Sequence, residues 1–142
     1  MTDIPGTEDM ECGGTEELRV VETFRSPRTF TVWQYTVAHH QRMLLRSPRR
    51  TASDTRIDLH AGVRAMLLRP SYEGITIRPG TDADRARVVS VLGPEVFDRG
   101  GRLHVIGEDR MTGFIVGGPL QVRETCAAND EPSGFLPMPE TA

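Results

Sequence analysis

The feature that most constrains the fold is a strict alternation of apolar and polar residues over 55–65. The apolar positions are Ile57, Leu59, Ala61, Val63 and Ala65, and the positions between them are Arg56, Asp58, His60, Gly62 and Arg64. A period of two is typical of a β-strand that buries one face. Leu59, Val63, Met66 and Leu67 also fit a helical stripe, but glycine is unfavourable inside a helix. The alternation therefore predicts a strand, bulged at Gly62.

Other segments predict further strands. "TFTVWQYTVAHH" is rich in Thr, Val and aromatic residues, and Trp33, Tyr35 and Val37 share one face, which we interpret as a core face. "RMLLRSP" is its expected hairpin partner, with a turn at 39–41. Strands are also expected at 75–78, 102–106, 112–116 and 120–124.

One helix is predicted, over 82–92. Thr81 and Asp84 have the spacing of a capping box, and Gly93 followed by Pro94 ends the helical pattern. Because consecutive strands have no helix between them, antiparallel pairing is expected. The predicted fold is α+β, mainly an antiparallel sheet or half-open barrel of six or seven strands with this one short helix.

The flanks differ in composition from the rest. Residues 1–17 are rich in Gly, Thr and acid and predict a disordered acidic tail, whereas 18–124 predict a single β-rich domain. Residues 125–142 predict a Pro-containing flexible tail, in which Phe135 and Leu136 form an isolated apolar pair. Cys12 and Cys126 lie in these flanks, without metal-ligand spacing, and are expected to be free thiols.

Charge is polarised along the chain. The net charge is -3, yet residues 25–70 carry nine Arg against two acids, while 1–24 carry seven acids against one Arg. Guanidinium groups match carboxylates and phosphates. A binding site for an anionic ligand is therefore predicted at the Arg-rich positions Arg46, Arg49, Arg50, Arg56 and Arg64. The acidic N-terminal tail is expected to cover this face.

The polar face of the alternating strand allows two interpretations. Arg56, Asp58 and His60 share a side, and the favoured interpretation is a solvated sheet face with cross-strand ion pairs. The alternative is a small enzyme or metal-binding site in which Asp58 orients His60 and His39 joins them. Because no paired-ligand spacing is present, no metal and no cofactor are expected.

The stretch "FTVWQYTVAHHQRMLLRSP" followed by "TRIDLHAGVRAM" resembles the opening of small bacterial β-rich proteins with no assigned activity. In those proteins an F-x-V-W-x-Y-x-V-x-H strand leads to an L-L-R-S-P turn and an I-D strand. The resemblance covers about residues 30–78. It implies a compact β-rich domain and no chemistry.

These patterns predict a small non-catalytic binding or regulatory module for a protein or a small anionic ligand. The alternatives are the His/Asp enzyme or metal-binding domain and a weak nucleic-acid binder that uses the Arg-rich region 42–56. Nucleic acid is the less favoured partner because the net charge is acidic. No apolar run approaches a membrane span, so a cytoplasmic location is expected, and an exposed sheet edge would permit a homodimer.

Overall fold

The computed structural model describes residue 12 and residues 17–36 and 41–132. The described residues form eight β-strands and one α-helix, with a short 3-10 segment, Pro94–Gly100, after the helix. In chain order they are β1 (Arg19–Val21), β2 (Phe24–Thr36), β3 (Arg42–Ser47), β4 (Arg56–Leu67), β5 (Ser71–Pro79), α1 (Asp82–Leu92), β6 (Arg102–Ile106), β7 (Gly113–Gly117) and β8 (Leu120–Thr125).

Six of the strands close into an antiparallel barrel. Their order is β4-β3-β2-β5-β6-β7, and β7 pairs back onto β4. The long strand β4 makes this possible, since its first half pairs with β8 and its second half with β7. Strand β1 then adds to β8. The mainly antiparallel prediction is confirmed, but the barrel is closed rather than half-open and has two strands outside it.

The barrel interior holds the larger apolar cluster. It includes Phe30, Met43, Leu45, Leu59 and Ile115, all fully buried. The apolar positions of β4 up to Val63 belong to this cluster, so the alternation predicted its inward face correctly. Each Å² of apolar surface removed from water contributes roughly 25 cal/mol of stability, so this interior is the main stabilising element of the fold.

The irregularity of β4 lies two residues later than predicted. The register with β7 shifts between Val63 and Ala65, so the bulge falls at Arg64 and not at Gly62. After the bulge the alternation changes phase, and Ala65 packs against the outer apolar cluster instead of the interior. The extra residue explains why the consecutive residues of "AMLL" are all apolar: their side chains are divided between the two faces of the strand.

The helix lies on the outside of β6 and β7. Its Val88 packs with Leu103, Val105, Phe114 and Val116 in a second apolar cluster. The capping box at its start is present as predicted: Asp84 donates its backbone N–H to the Thr81 hydroxyl, and the Asp84 carboxylate accepts the Thr81 N–H. The predicted bounds 82–92 are confirmed.

Strand β2 does not bury the face that the sequence suggested. Phe30 is buried inside the barrel, whereas Trp33 and Tyr35 are 41% and 40% exposed. A register shift between Val32 and Gln34 makes Trp33 an extra residue in the strand, and its ring lies 5.1 Å from the guanidinium carbon of Arg46. Val37 and the turn at 39–41, apart from Gln41, lie outside the described residues.

The chain after β8 is held against the barrel as far as it is described. Arg46 and Arg56 donate to the backbone oxygens of Asn129 and Ala128, and Asn129 exchanges two hydrogen bonds with the backbone of Arg49. The flexible tail predicted for 125–142 stays a prediction, with these contacts in its described part. Phe135, Leu136 and most of the predicted tail 1–17 lie outside the described residues. No helix among the described residues has the length and apolar character to cross a bilayer.

Candidate functional site

The predicted polar row of β4 is present, but it is buried. Arg56, Asp58 and His60 are 2%, 2% and 0% exposed. The favoured interpretation as a solvated face is therefore wrong, although its cross-strand ion pair exists. The row is buried because the neighbouring strands β3 and β8 and the segment after β8 supply partners that compensate for lost water.

Asp58 is the anionic centre of this row. Its Oδ1 accepts from Arg46 Nε at 2.8 Å, and its Oδ2 accepts from Arg46 Nη2 at 3.3 Å and from Arg56 Nη2 at 3.1 Å. Burial lowers the pKa of the Arg56 guanidinium, and the Asp58 carboxylate opposes that shift. Since both carboxylate oxygens are engaged with buried cations, Asp58 is occupied by a structural role.

His60 is a buried neutral imidazole. Burial, followed by the positive charges of Arg42 and Arg46, lowers its pKa from 6.5 to about 2. A low pKa makes the imidazole a weak base, and His60 is 0% exposed, so the structure does not favour the interpretation of His60 as a general base. His39 lies outside the described residues. Among the residues that are described, no group of three or more His, Cys, Asp or Glu side chains could hold a metal ion.

Most of the predicted anion-binding arginines are engaged within the protein. Arg46 and Arg56 bind Asp58, and Arg49 donates to the backbone oxygens of Asp54 and Cys126 at 2.8 and 2.5 Å. Arg50 donates to the carboxylate of Asp54 at 2.9 Å. Arg64 differs from the other four predicted arginines. It is exposed, and it forms no ion pair with a described residue.

The two cysteines form a disulfide, which corrects the prediction of free thiols. Cys12 and Cys126 have Cα atoms 6.0 Å apart and close a loop of sequence separation 114. The bond ties a residue of the N-terminal flank to the segment that follows β8. The sequence offered one signal for it, the even number of cysteines.

A cavity of about 310 Å³ lies at the barrel end where β6 begins and β7 ends. We call it the glycine cavity, because glycines provide half of its lining. Its lining residues are Gly62, Val63, Arg64, Arg99, Gly100, Gly101, Arg102, Gly117, Gly118 and Pro119. Without side chains at the glycines, a small ligand can approach the backbone closely. Mouths of β-barrels are a common place for ligand sites.

Three cations and no anion line the glycine cavity in the described part of the chain. Arg64, Arg99 and Arg102 are exposed, and none of them forms an ion pair with a described residue. Each comes from a different feature: the bulge in β4, the 3-10 segment and the first residue of β6. Several arginines that line one cavity without a carboxylate create a positive potential suited to an anion.

Arg99 has an uncommon backbone. Its φ of 68° lies in the left-handed region, and it is the one non-glycine residue in the described chain with a positive φ. For a residue with a Cβ this conformation costs roughly 1–2 kcal/mol. The fold therefore accepts a local cost at a residue that lines the cavity, a pattern found at functional sites.

A second cavity, of about 290 Å³, shares one lining residue with the first. We call it the helix cavity, because Arg85 of α1 lines it. The other lining residues are Val21, Glu22, Pro79, Gly80, Arg102, Leu103 and His104. Arg102 belongs to both cavities, and His104 Nε2 lies 2.8 Å from the backbone oxygen of Gly118 in the glycine cavity.

His104 is the buried histidine of this region. Burial lowers its pKa, and the contact with the Gly118 oxygen opposes that shift. A carbonyl oxygen only accepts, so Nε2 of the neutral ring carries the proton and donates it to Gly118. His104 thereby fixes the Gly118 backbone between the two cavities.

The sequence named Arg64 as an anion-binding residue but missed Arg99 and Arg102. The signal was present in the pairs Gly100-Gly101 and Gly117-Gly118, which read most simply as turns and a bulge. Only barrel closure brings these pairs together, because Arg102 on β6 is opposite Gly117 on β7, and Gly117 is opposite Val63 on β4.

Comparison with protein-family models, curated proteins and solved structures finds no match to this chain. The resemblance of residues 30–78 to small bacterial β-rich proteins therefore stays a prediction. Any functional assignment has to come from the geometry of the two cavities.

Proposed function

We propose that the protein is a non-catalytic binding module for a small anionic ligand, and that the ligand's anionic group binds in the glycine cavity. The observation that carries this proposal is that Arg64, Arg99 and Arg102 line one glycine-rich cavity and have no ion-pair partner among the described residues. Guanidinium groups bind phosphate and carboxylate with paired, charge-assisted hydrogen bonds.

The buried row of β4 supports a non-catalytic role. Asp58 is held by two cations, and His60 is fully buried and neutral, so neither presents a reactive group to solvent. The Arg-rich stretch offers little to a nucleic acid, since Arg46, Arg49 and Arg56 donate mostly to protein oxygens. The glycine cavity is therefore the preferred location.

Isothermal titration calorimetry with inorganic phosphate at low salt tests the proposal. The variants Arg64→Gln, Arg99→Gln and Arg102→Gln should each weaken binding about tenfold, as expected for loss of one exposed charge-assisted hydrogen bond worth roughly 1.5 kcal/mol. Arg110→Gln is the matched control, since Arg110 is exposed and lines neither cavity. Binding by a triple variant at the wild-type affinity would refute the proposal.

Location and assembly form the remaining part of the proposal. A cytoplasmic location stays a prediction, and the disulfide weighs against it because such bonds persist mainly in oxidising compartments.

A homodimer also stays a prediction. Its candidate edge is β1, which pairs on one side with β8 and exposes Val20. Sedimentation velocity would reveal a dimer, and thiol labelling of protein from cells would report the redox state.

A further inference from the structure

We infer that the ligand is an organic phosphate monoester whose phosphate lies in the glycine cavity and whose organic part lies in the helix cavity. This inference rests on the proposed function and extends it to the chemical class of the ligand. The two cavities share the lining residue Arg102, and His104 of the helix cavity contacts the backbone oxygen of Gly118 in the glycine cavity. A phosphate held by Arg102 would therefore lie beside the helix cavity.

The combined size of the cavities supports a ligand larger than a simple anion. Their volumes are about 290 and 310 Å³, each near the lower end of the range of roughly 300–1,000 Å³ found for small-molecule sites. A four-oxygen anion displaces only a few waters, at about 30 Å³ each. Inorganic phosphate would thus leave the helix cavity filled with water.

The two cavities differ in chemistry in the way such a ligand requires. The glycine cavity is lined by three arginines and no carboxylate, whereas the helix cavity combines the apolar side chains of Val21, Pro79 and Leu103 with Glu22 and Arg85. The carboxylate of Glu22 would repel a second anionic group and accept hydrogen bonds from a hydroxyl or amino group. The organic part is therefore expected to be uncharged or cationic, with an apolar side.

Arg85 is already positioned for this role. Its guanidinium carbon lies 4.0 Å from the centre of the Phe97 ring, a stacked cation–π contact. Stacking restricts the side chain before the ligand arrives, which reduces the entropy lost on binding. Because Arg85 lines the helix cavity, its guanidinium can donate to a polar group of the organic part.

The test compares inorganic phosphate, phenyl phosphate and adenosine 5'-monophosphate by calorimetry on the full chain. The inference predicts that at least one organic phosphate binds at least tenfold more tightly than inorganic phosphate. Glu22→Gln and Arg85→Gln should each reduce that advantage to about twofold. Arg87→Gln is the control, because Arg87 is exposed on the same helix and lines neither cavity.

The outcomes separate the inference from the proposed function. If all three compounds bind with equal affinity and binding depends on Arg64, the anion site stands and the two-cavity inference is overturned. An organic phosphate advantage that survives both helix-cavity variants also overturns it, since the organic part would then lie elsewhere. If none of the compounds binds, the proposed function itself fails.

Discussion

Replacing Asp58 by asparagine should destabilise the protein severely. The variant keeps the shape of the side chain but removes the negative charge between Arg46 and Arg56, whose side chains are 1% and 3% exposed. Breaking a buried ion pair by neutralising one partner costs about 3–5 kcal/mol, because it leaves a buried charge without compensation. With a urea m-value of about 2 kcal/mol per M, the unfolding midpoint should fall by about 2 M.

The control is Glu108→Gln, which also neutralises a carboxylate paired with arginine. Glu108 binds Arg25 at the surface, where the two side chains are 53% and 68% exposed. Exposed pairs contribute about 0–1 kcal/mol, so the midpoint should move little. Urea unfolding followed by tryptophan fluorescence measures both variants. A loss below about 1 kcal/mol in the free energy of unfolding for Asp58→Asn would refute the argument that this carboxylate compensates the buried charges of Arg46 and Arg56.

Three further predictions concern stability. His60 stays neutral in the folded protein, whereas in the unfolded chain it takes up a proton below its ordinary pKa of 6.5. This difference should lower the free energy of unfolding by about 1 kcal/mol between pH 7 and 5.5. Urea titrations at the two pH values should show that His60→Gln removes this decrease. Gly117→Ala should lower the free energy of unfolding by about 3 kcal/mol, because the added Cβ would overlap the Gly62 carbonyl oxygen. Gly62→Ala is the control, since its Cβ would meet no atom closer than 3.9 Å. Equal thermal stability of the two variants would contradict this prediction. Replacing Cys12 and Cys126 together by serine should cost about 2–5 kcal/mol, and an unchanged unfolding midpoint would show that the disulfide does not stabilise the fold.

Local patterns were sufficient to predict the helix and every strand except β1. The alternation in β4 predicted its strand and inward face, and the capping residues Thr81 and Asp84 with Gly93 predicted the helix bounds. Each of these signals depends on residues close in the chain. Strand β1 was missed because three residues give too short a pattern, and it forms by pairing with β8 about a hundred residues later.

The burial of the polar row and the position of the cavity depend on long-range contacts, which local sequence patterns do not reveal. Arg56, Asp58 and His60 read as a solvated row because charged side chains are rarely buried without partners, and those partners come from β3 and the segment after β8. The outward placement of Trp33 depends on a bulge that composition does not reveal. The glycine cavity exists only once β7 closes onto β4, so of its three arginines the sequence could single out Arg64 alone.

The most direct test of the anion site is a crystal structure grown with sodium tungstate, a phosphate analogue whose tungsten scatters anomalously. We expect an anomalous peak in the glycine cavity, with tungstate oxygens within hydrogen-bond distance of Arg64, Arg99 or Arg102. A peak at the exposed Arg50 or elsewhere on the surface, with the glycine cavity holding only water, would contradict it.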